Sequence, residues 1–386
     1  MFVGITNTPR DYAWGSHTAI AELLGHEASG GPEAELWLGT HPGSPSRLSD
    51  PAAHGGSATL IELTTLPFLL KVLAAGAPLS LQAHPTLEQA AEGFAAENAA
   101  GVPIDAPFRN YKDPLHKPEL VYALSDEYHA LCGFRSVAAT RELLQRLGAD
   151  DRLDALLVRL VDDASLRDTF EWLISRGDGV EELVSAVVEL AASAQLSEPT
   201  RGVEFEWVGK LADAYPGDPG IVISLLLNLV VLSPGQVLYL PAGNIHAYLS
   251  GLGIELMAAS DNVLRGGLTP KHVDVPELLG VLDFTPVPVP YLEAERPAPA
   301  VEVYRPDVPD FVLTVVTLDG SASEVTVALA SEAIILSVSG SVDLVGADGT
   351  ATIARGDSVW SSTPEASLRL TGSGKVFIAT SGTSAA

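Results

Sequence analysis

The fold class is predicted from one stretch of sequence, Gly235-Gln236-Val237-Leu238-Tyr239-Leu240-Pro241-Ala242-Gly243-Asn244-Ile245-His246. Its Pro and Gly residues set up a tight turn, and a turn of this kind delivers an imidazole from the end of a strand. Short apolar runs surround the stretch across residues 220–257, as in β-structure. The stretch therefore predicts a strand end that presents His246.

A second histidine lies in Ala77-Pro78-Leu79-Ser80-Leu81-Gln82-Ala83-His84-Pro85, where polar and apolar residues alternate. Successive side chains of a strand point to opposite faces of the sheet. A strand through this segment would therefore aim three polar side chains at one face, and these are Ser80, Gln82 and His84.

A carboxylate follows in His116-Lys117-Pro118-Glu119. If the strand period holds across Pro118, Lys117 shares the face of Glu119 and lines the cavity, whereas His116 points away and supports the site from behind. Two imidazoles, one carboxylate and one amide oxygen suit zinc, with room left for substrate or water. We interpret four residues as one metal site with an open coordination position: Gln82, His84, Glu119 and His246.

Several segments of the chain resemble the type I mannose-6-phosphate isomerases (phosphomannose isomerases), which are zinc enzymes of the cupin class. They are Tyr12-Ala13-Trp14-Gly15, Ala34-Glu35-Leu36-Trp37-Leu38-Gly39-Thr40-His41-Pro42, Leu79-Ser80-Leu81-Gln82-Ala83-His84-Pro85, Tyr111-Lys112-Asp113-Pro114-Leu115-His116-Lys117-Pro118-Glu119 and residues 241–275. The segments follow the order of the family, and the resemblance fades in the helical stretch and the C-terminal tail. One position departs from the family pattern, because Leu115 stands where Asn usually precedes His-Lys-Pro-Glu. A hydrogen bond that supports the metal ligands is therefore expected to be missing or replaced.

The resemblance implies a mainly β protein built from cupin-type β-barrels, with an all-α insert. The stretch from Gly235 to His246 matches the second cupin motif, with Ser250 in place of the usual trailing Asn. The tail repeats the pattern of short alternating strands, but no His follows Asp357, so a degenerate barrel without metal is expected. The expected parts are residues 1–135 and 219–295 for the metal-bearing barrel, 136–218 for the helical insert, and 296–386 for the degenerate C-terminal barrel.

Hydrophobic periodicity predicts the insert independently of the resemblance. Leucine and valine recur at helical spacing, with charges between them, across residues 137–214. A shorter helix is predicted at residues 86–99. The apolar run 221–232, interrupted by Ser224 and Asn228, is interpreted as a buried strand that is far too short to span a bilayer.

The charge of the chain limits its partners. It has 49 acidic and 22 basic residues, a formal net charge of -27 at pH 7, which argues against nucleic-acid binding. The same charge repels an anionic substrate, so any phosphate pocket must be locally basic. No signal-peptide pattern is present at the N-terminus, and the single Cys132 cannot form an internal disulfide. We expect a cytoplasmic monomer that binds neither nucleic acid nor membrane.

The resemblance also implies an activity, the interconversion of mannose 6-phosphate and fructose 6-phosphate through an enediol, with one zinc ion per chain. Arg265 stands at the position that the family treats as an active-site arginine, and its planar fork suits sugar hydroxyls or phosphate oxygens. Glu255 is the favoured proton-transferring base, with Lys117 as its competitor; the alternative for Glu255 is a structural partner of a cation. Further contacts to phosphate and hydroxyl groups are expected from Lys71, Ser80 and Lys117.

Five polar residues near these motifs receive weaker predictions. His41 is expected to line the cavity. Loop scaffolding is the interpretation for Asp261, Asn262, Lys271 and His272.

Three other functions compete with this interpretation: another metal-dependent cupin phosphosugar isomerase, a non-catalytic sugar-binding cupin, and a metal-dependent oxygenase on the same barrel. The oxygenase usually presents two histidines and one carboxylate, but Gln82 and the cations Arg265 and Lys117 favour a phosphosugar. A non-catalytic relative would lose the metal ligands first, and this chain keeps all four. A direct isomerisation assay separates these classes.

Overall fold

The computed structural model describes residues 1–197, 202–320, 322–362 and 365–382. Its strands are β1 (Phe2–Thr6), β2 (Glu35–Gly39), β3 (Arg47–Leu48), β4 (Phe68–Ala75), β5 (Gln82–Ala83), β6 (Glu119–Ala123), β7 (Tyr128–Phe134), β8 (Leu227–Leu232), β9 (Val237–Leu240), β10 (His246–Ala258), β11 (Leu264–Arg265), β12 (Glu295–Ala298), β13 (Val301–Tyr304), β14 (Val312–Leu318), β15 (Glu324–Leu329), β16 (Ala333–Gly346), β17 (Gly349–Ala354), β18 (Ser358–Ser361) and β19 (Glu365–Thr380). Its α-helices are α1 (Ala19–Leu24), α2 (Leu87–Ala99), α3 (Val137–Gln145), α4 (Asp154–Arg159), α5 (Leu166–Ile174), α6 (Val180–Ser197), α7 (Val203–Ala214), α8 (Gly220–Ile223) and α9 (Val275–Val281). Short 3-10 helices lie at Ala52–His54, Leu60–Glu62, Asp151–Leu153, Asp163–Ser165 and Ser224–Leu226. The protein is therefore mainly β, as the sequence predicts.

A nine-stranded antiparallel sheet carries the predicted site residues on its strands or beside them. Its central strand is β10, whose first half pairs with β5 and β7 and whose second half pairs with β4 and β6. The pairing sets His246 opposite Gln82 and Met257 opposite Glu119. One long strand thus aligns segments that are far apart in the sequence.

The second sheet has ten antiparallel strands and contains the C-terminal part of the chain. It also contains β1 and β3, because Phe2 pairs with Ser361 and Ile5 pairs with Leu48. These two strands differ from the predicted division, which places residues 1–135 in the metal-bearing barrel. The prediction missed this pairing because strand partners distant in sequence leave no local signal.

The packing explains why the two sheets stay together. Apolar side chains from both sheets form one core, which includes Val3, Ile5, Leu70, Ile254, Leu336 and Phe377. The helical insert packs on a separate core at the other side of the nine-stranded sheet, formed with Leu81, Ala83, Leu131 and Ala247. The sheet that carries the site is therefore supported on both sides.

The helices agree with the predicted periodicity. Helix α2 begins after Thr86, whose hydroxyl accepts from Gln89 N at 3.2 Å, a side-chain cap of the usual kind. Helices α3 to α7 occupy the described part of residues 137–214. No helix in the described ranges is both long and apolar enough to cross a membrane.

The prediction of one buried strand across residues 221–232 is wrong in its first half. That half forms α8 and the 3-10 helix Ser224–Leu226, and only β8 is a strand. The half that forms helix, residues 221–226, is buried on all sides, so its sequence has no periodicity that separates a buried strand from a buried helix. Pro219 caps the start of α8, and its fixed φ suits a helix N-terminus.

Candidate metal centre and cavity

The metal-site residues meet where β10 begins. His246 is the first residue of β10 and follows the turn at Gly243, whose φ of 78° lies in the left-handed region that favours glycine. The amide of Gly243 donates to the carbonyl of His84 at 2.9 Å. The turn predicted from sequence therefore fixes both histidines relative to each other.

Glu119 lies between the two histidines. Its Oε1 is 3.2 Å from His84 Nε2, and its Oε2 is 3.4 Å from His246 Nε2. One ligand atom from each residue can be chosen so that all three lie within 4.8 Å of one another. All three side chains are at most 2% exposed. The spacing is that of a group able to hold one metal ion.

The protonation of the two imidazoles can be read from their other ring nitrogens. His84 Nδ1 lies 2.7 Å from the carbonyl of Asn262, and His246 Nδ1 lies 3.0 Å from the carbonyl of Asn244. A carbonyl only accepts, so each Nδ1 carries the proton and each Nε2 presents a lone pair toward Glu119. Neither Nε2, nor Glu119 Oε2, has a hydrogen-bond partner in the described part of the chain. Three buried electron-pair donors facing one point are costly unless a cation joins them, and zinc fits this donor set.

The electrostatics keep these ligands deprotonated. Burial lowers the pKa of His84 to about 4. Burial alone would raise the pKa of Glu119, but Lys117, with Nζ 3.1 Å from Oε1, and His84 hold it well below its usual range. Lys117 therefore shares the face of Glu119, as the strand period predicts.

Gln82 is placed by backbone pairing. It pairs with His246 on one side and with Arg265 of β11 on the other. The predicted strand through Ser80, Gln82 and His84 is shorter than expected, because β5 comprises only Gln82–Ala83. Both Ser80 and Gln82 nonetheless line the cavity described below.

The hydrogen bond that was expected to be missing or replaced at Leu115 comes from the main chain. The side chain of Leu115 is 43% exposed and points away from the site, but its carbonyl accepts from Asn262 Nδ2 at 2.8 Å. Asn262 is the residue whose own carbonyl lies against His84 Nδ1. The support is therefore independent of the side chain at position 115.

A cavity of about 580 Å³ opens beside the metal ligands. Glu119 and Gln82 form part of its wall, and Trp14, Trp37 and Tyr248 add aromatic surface. The other predicted site residues that line it are Lys71, Ser80, Lys117, Glu255 and Arg265. The structure therefore brings the predicted set to one cavity, with His84 and His246 behind the wall.

Lys71 and Glu255 form a buried ion pair. Lys71 Nζ lies 2.8 Å from Glu255 Oε2 and 3.4 Å from Glu35 Oε1. Burial alone would lower the pKa of Lys71, but the two carboxylates raise it above its usual range. Burial raises the pKa of Glu255 despite Lys71. Glu255 is thus the partner of a cation, which is the alternative that the sequence left open, and it also lines the cavity. Its role as the base stays a prediction.

The guanidinium of Arg265 has no hydrogen bond or ion pair with any residue that the structure describes. The side chain is partly buried, and burial lowers its pKa. Lys271 lines the same cavity, and burial and Arg265 both lower its pKa. The two cations make one end of the cavity locally basic despite the acidic chain.

The sequence prediction missed several cavity residues, among them Lys271, Tyr215 and Asp261. Lys271 was interpreted as loop scaffolding, and a cation six residues after Arg265 was the only available signal. Tyr215 lines the cavity from the end of the helical insert and has no motif at all. Asp261 also reaches the cavity, where its Oδ1 lies 3.2 Å from His41 Nε2.

The remaining histidines lie outside the centre. His41 is buried against Trp37 and Asp261 and is not part of the cavity wall. His116 Nε2 lies 2.9 Å from Asp310 Oδ2, so it points away from Glu119, toward the C-terminal sheet. No hydrogen bond or ion pair joins His116 to His84, Glu119 or His246 in the described part of the chain. The prediction that His116 supports the metal ligands therefore finds no direct contact.

Comparison with known proteins agrees with this geometry. Residues 2–137 match the family model described as phosphomannose isomerase type I, catalytic domain. The mannose-6-phosphate isomerase of Escherichia coli (strain K12) is 37% identical, with 96% of this chain and 97% of that protein covered. The human mannose-6-phosphate isomerase is 33% identical over 86% of each chain. A zinc-bound crystal structure of mannose 6-phosphate isomerase superimposes with a TM-score of 0.85 at 34% identity, over 99% of this chain and 100% of that one.

Proposed function

The chain belongs to the phosphomannose isomerase type I family, and we propose that it interconverts mannose 6-phosphate and fructose 6-phosphate through an enediol intermediate. The observation that carries the proposal is a buried His84, Glu119 and His246 cluster beside a cavity whose wall holds the unpaired cation Arg265. The cluster suits a metal, and the cation suits a phosphate.

Zinc would be held by His84, Glu119 and His246, with Gln82 as the fourth ligand. When bound there, zinc acts as a Lewis acid that stabilises negative charge developing on the substrate oxygens. Glu119 supplies the only ligand charge, so the site as a whole keeps a positive charge.

Proton transfer between adjacent carbons needs a base at the cavity wall. We favour Glu255, because it is a buried carboxylate on the cavity wall, and Lys71 at 2.8 Å balances its negative charge until it takes the proton. Lys117 is the competitor, but its Nζ is engaged with Glu119 at 3.1 Å. In that position the ammonium group of Lys117 neutralises negative charge beside the metal ligand Glu119.

The phosphate of the substrate would lie at the end of the cavity formed by Arg265 and Lys271. Arg265 offers a planar fork that matches phosphate oxygens, and nothing in the described protein competes for it. Ser80 lines the same cavity two residues before Gln82, and its hydroxyl suits a sugar hydroxyl.

The same proposal extends to the architecture. We assign the nine-stranded sheet to the metal-bearing cupin barrel and the ten-stranded sheet to the degenerate barrel, with β1 and β3 added to the latter. The cavity then lies in one barrel only. This arrangement agrees with the absence of histidine from the C-terminal part of the sequence.

One assay tests the proposed activity. Purified protein is incubated with mannose 6-phosphate in deuterium oxide, and the sugar phosphates are analysed by NMR and mass spectrometry. An enediol route yields fructose 6-phosphate with deuterium at carbon 1, because the base exchanges its proton with solvent. Conversion without any deuterium favours a direct hydride shift over an enediol whose base exchanges with solvent, and binding without conversion favours the non-catalytic cupin.

A further inference from the structure

We propose that the corner between α7 and α8, residues 215–220, positions the phosphate end of the cavity through Asp218 and Tyr215. The inference rests on the proposed function, because it concerns how Arg265 is held for a phosphosugar. Neither residue contacts the metal ligands in the structure. Both act on the backbone segments that carry Ser80, Gln82 and Arg265.

Asp218 holds the turn that follows Arg265. Its Oδ1 accepts from the amide of Leu268 at 3.0 Å and from the amide of Gly220 at 2.7 Å. Leu268 has a φ of 51°, a left-handed conformation that is unusual for a non-glycine residue. Such a conformation persists only where its surroundings enforce it, and the carboxylate of Asp218 is one of those constraints.

Close backbone packing makes the contact specific. A Cβ atom on Gly220 would lie 2.8 Å from Leu268 Cγ and 2.9 Å from Leu268 N. Gly267, with a φ of 115°, faces Gly220 in the same way, since a Cβ there would lie 3.3 Å from Gly220 Cα. The corner and the turn are therefore in direct contact, and movement of one displaces the other.

Backbone hydrogen bonds connect the turn after Arg265 to the segment that carries Gln82. Gly266 N donates to Leu81 O at 2.7 Å, and Leu81 N donates to Gly267 O at 3.1 Å. Arg265 pairs with Gln82 in the same ladder. The position of the guanidinium thus depends on a backbone unit that Asp218 secures at its far end.

Tyr215 secures the other end of that unit. Its hydroxyl donates to the carbonyl of Pro78 at 2.7 Å, two residues before Ser80, and its ring lines the cavity. The helical insert therefore reaches the site through one corner, although its helices lie on the other side of the sheet. Tyr215 and Asp218 are positioning residues, because they act through Ser80, Gln82 and Arg265.

The test is a double-mutant cycle between Asp218→Ala and Arg265→Ala, with inhibition by inorganic phosphate and KM for mannose 6-phosphate as readouts. We expect Asp218→Ala to raise both constants about tenfold while zinc content stays at the wild-type level. In the Arg265→Ala background the same change should alter them by less than about twofold, because the residue it positions is gone. Asp218→Asn keeps the accepting oxygen and should restore both constants to within about threefold of wild type.

A structural role alone predicts a different pattern. Asp163→Ala is the matched control, since Asp163 Oδ1 accepts from Val137 N at 2.7 Å within the insert and far along the chain from the cavity residues. It should lower the melting temperature and leave KM unchanged. The proposal is overturned if Asp218→Ala behaves like this control, or if its effect multiplies with that of Arg265→Ala.

Two further arms keep the test decisive. If Asp218→Ala does not fold, Tyr215→Phe takes its place and should raise KM about threefold, again without additivity to Arg265→Ala. If the wild-type protein does not isomerise mannose 6-phosphate, the proposed function fails. Calorimetric binding of inorganic phosphate to the wild type and the variants then decides the positioning role by itself, and equal affinities would overturn it.

Discussion

Lys71 Nζ lies 2.8 Å from Glu255 Oε2, and the two residues are direct cross-strand partners on β4 and β10. Both side chains are at most 6% exposed. A buried ion pair is costly to break from one side, because the remaining charge is left unpaired. The favoured base is therefore held in place by a residue that must stay charged.

Replacing Glu255 by Gln should lower turnover by about a hundredfold or more, because the amide cannot take a proton. The matched control is Glu35→Gln, since Glu35 is also buried and its Oε1 lies 3.4 Å from the same Lys71 Nζ. Turnover in that control should fall by less than about tenfold. Steady-state kinetics and deuterium exchange into mannose 6-phosphate measure both variants. Equal losses in the two variants would show that the charge balance of Lys71, and not the base, has been disturbed.

Metal removal should abolish activity, and added zinc should restore it. Glu119→Gln should weaken zinc binding by more than about a hundredfold, since even residues that only support metal ligands contribute about ten- to a hundredfold. Glu33→Gln is the control, because Glu33 is 3% exposed and lies outside the cavity wall. Zinc content is measured by elemental analysis after dialysis. Full activity in verified metal-free protein would contradict the site.

Arg265→Ala should lower turnover by about a hundredfold or more if the guanidinium stabilises charge that develops during proton transfer. Arg265→Lys should recover little, because an ammonium does not reproduce the fork. Both variants should keep their zinc. If Arg265 holds the phosphate equally in ground and transition states, KM rises while turnover at saturation barely changes.

Lys271→Ala is the comparison for that experiment. Lys271 is exposed and lines the same end of the cavity, so its loss should raise KM by about three- to tenfold with little change in turnover. Unchanged kinetics in both Arg265 variants would remove Arg265 from the site.

The metal-free protein should lose stability in mild acid. The pKa of His84 is about 4 in the folded protein against an ordinary value of 6.5, so above pH 6.5 this imidazole is unprotonated in both the folded and the unfolded state. Between pH 6.5 and 4 the unfolded chain binds the proton and the folded protein does not. The free energy of unfolding therefore decreases as the pH is lowered, by about 3 kcal/mol at most. Urea unfolding across this range measures the slope.

His84→Gln should flatten that slope, because the titrating imidazole is gone. His26→Gln is the control, since His26 is exposed and does not line the cavity. A slope that survives in His84→Gln would assign the acid sensitivity to another group.

Substitutions remote from the cavity should leave turnover within about twofold. Arg159 packs over the ring of Trp172 at 4.4 Å in the insert, and Arg355 donates to the carbonyls of Leu23 and Glu22 on α1. Arg159→Ala and Arg355→Ala are expected to affect stability alone. A large loss of turnover with unchanged folding would show that one of these regions acts on the site.

The sequence predicted the residues that turns and strand alternation place locally. His246 follows a Pro and Gly turn, and Lys117 shares the face of Glu119, because both relationships depend on neighbours in the chain. The support at Leu115 was harder to predict, since it comes from a main-chain carbonyl that any residue provides. The monomeric state and the cytoplasmic location stay predictions.

What the sequence did not predict depends on contacts between distant segments. Tyr215 donates to the carbonyl of Pro78 and Asp218 accepts from the amide of Leu268, and backbone donors and acceptors carry no residue-specific pattern. The run 221–232 is mostly apolar, and its two polar residues, Ser224 and Asn228, set no period that separates helix from strand. The pairing of β1 required knowledge of a strand at the opposite end of the sequence.

That pairing has a consequence during synthesis on the ribosome. Val3 and Ile5 are at most 3% exposed in the finished protein, but Val3 pairs with Trp360, which is translated near the end of the chain. At about 5–20 residues per second, β1 waits on the order of 20 to 70 seconds for its partner strand. β3 can cover one edge of β1 early, since Ile5 pairs with Leu48, but the edge toward β18 stays unpaired for this time and is open to pairing with other nascent chains.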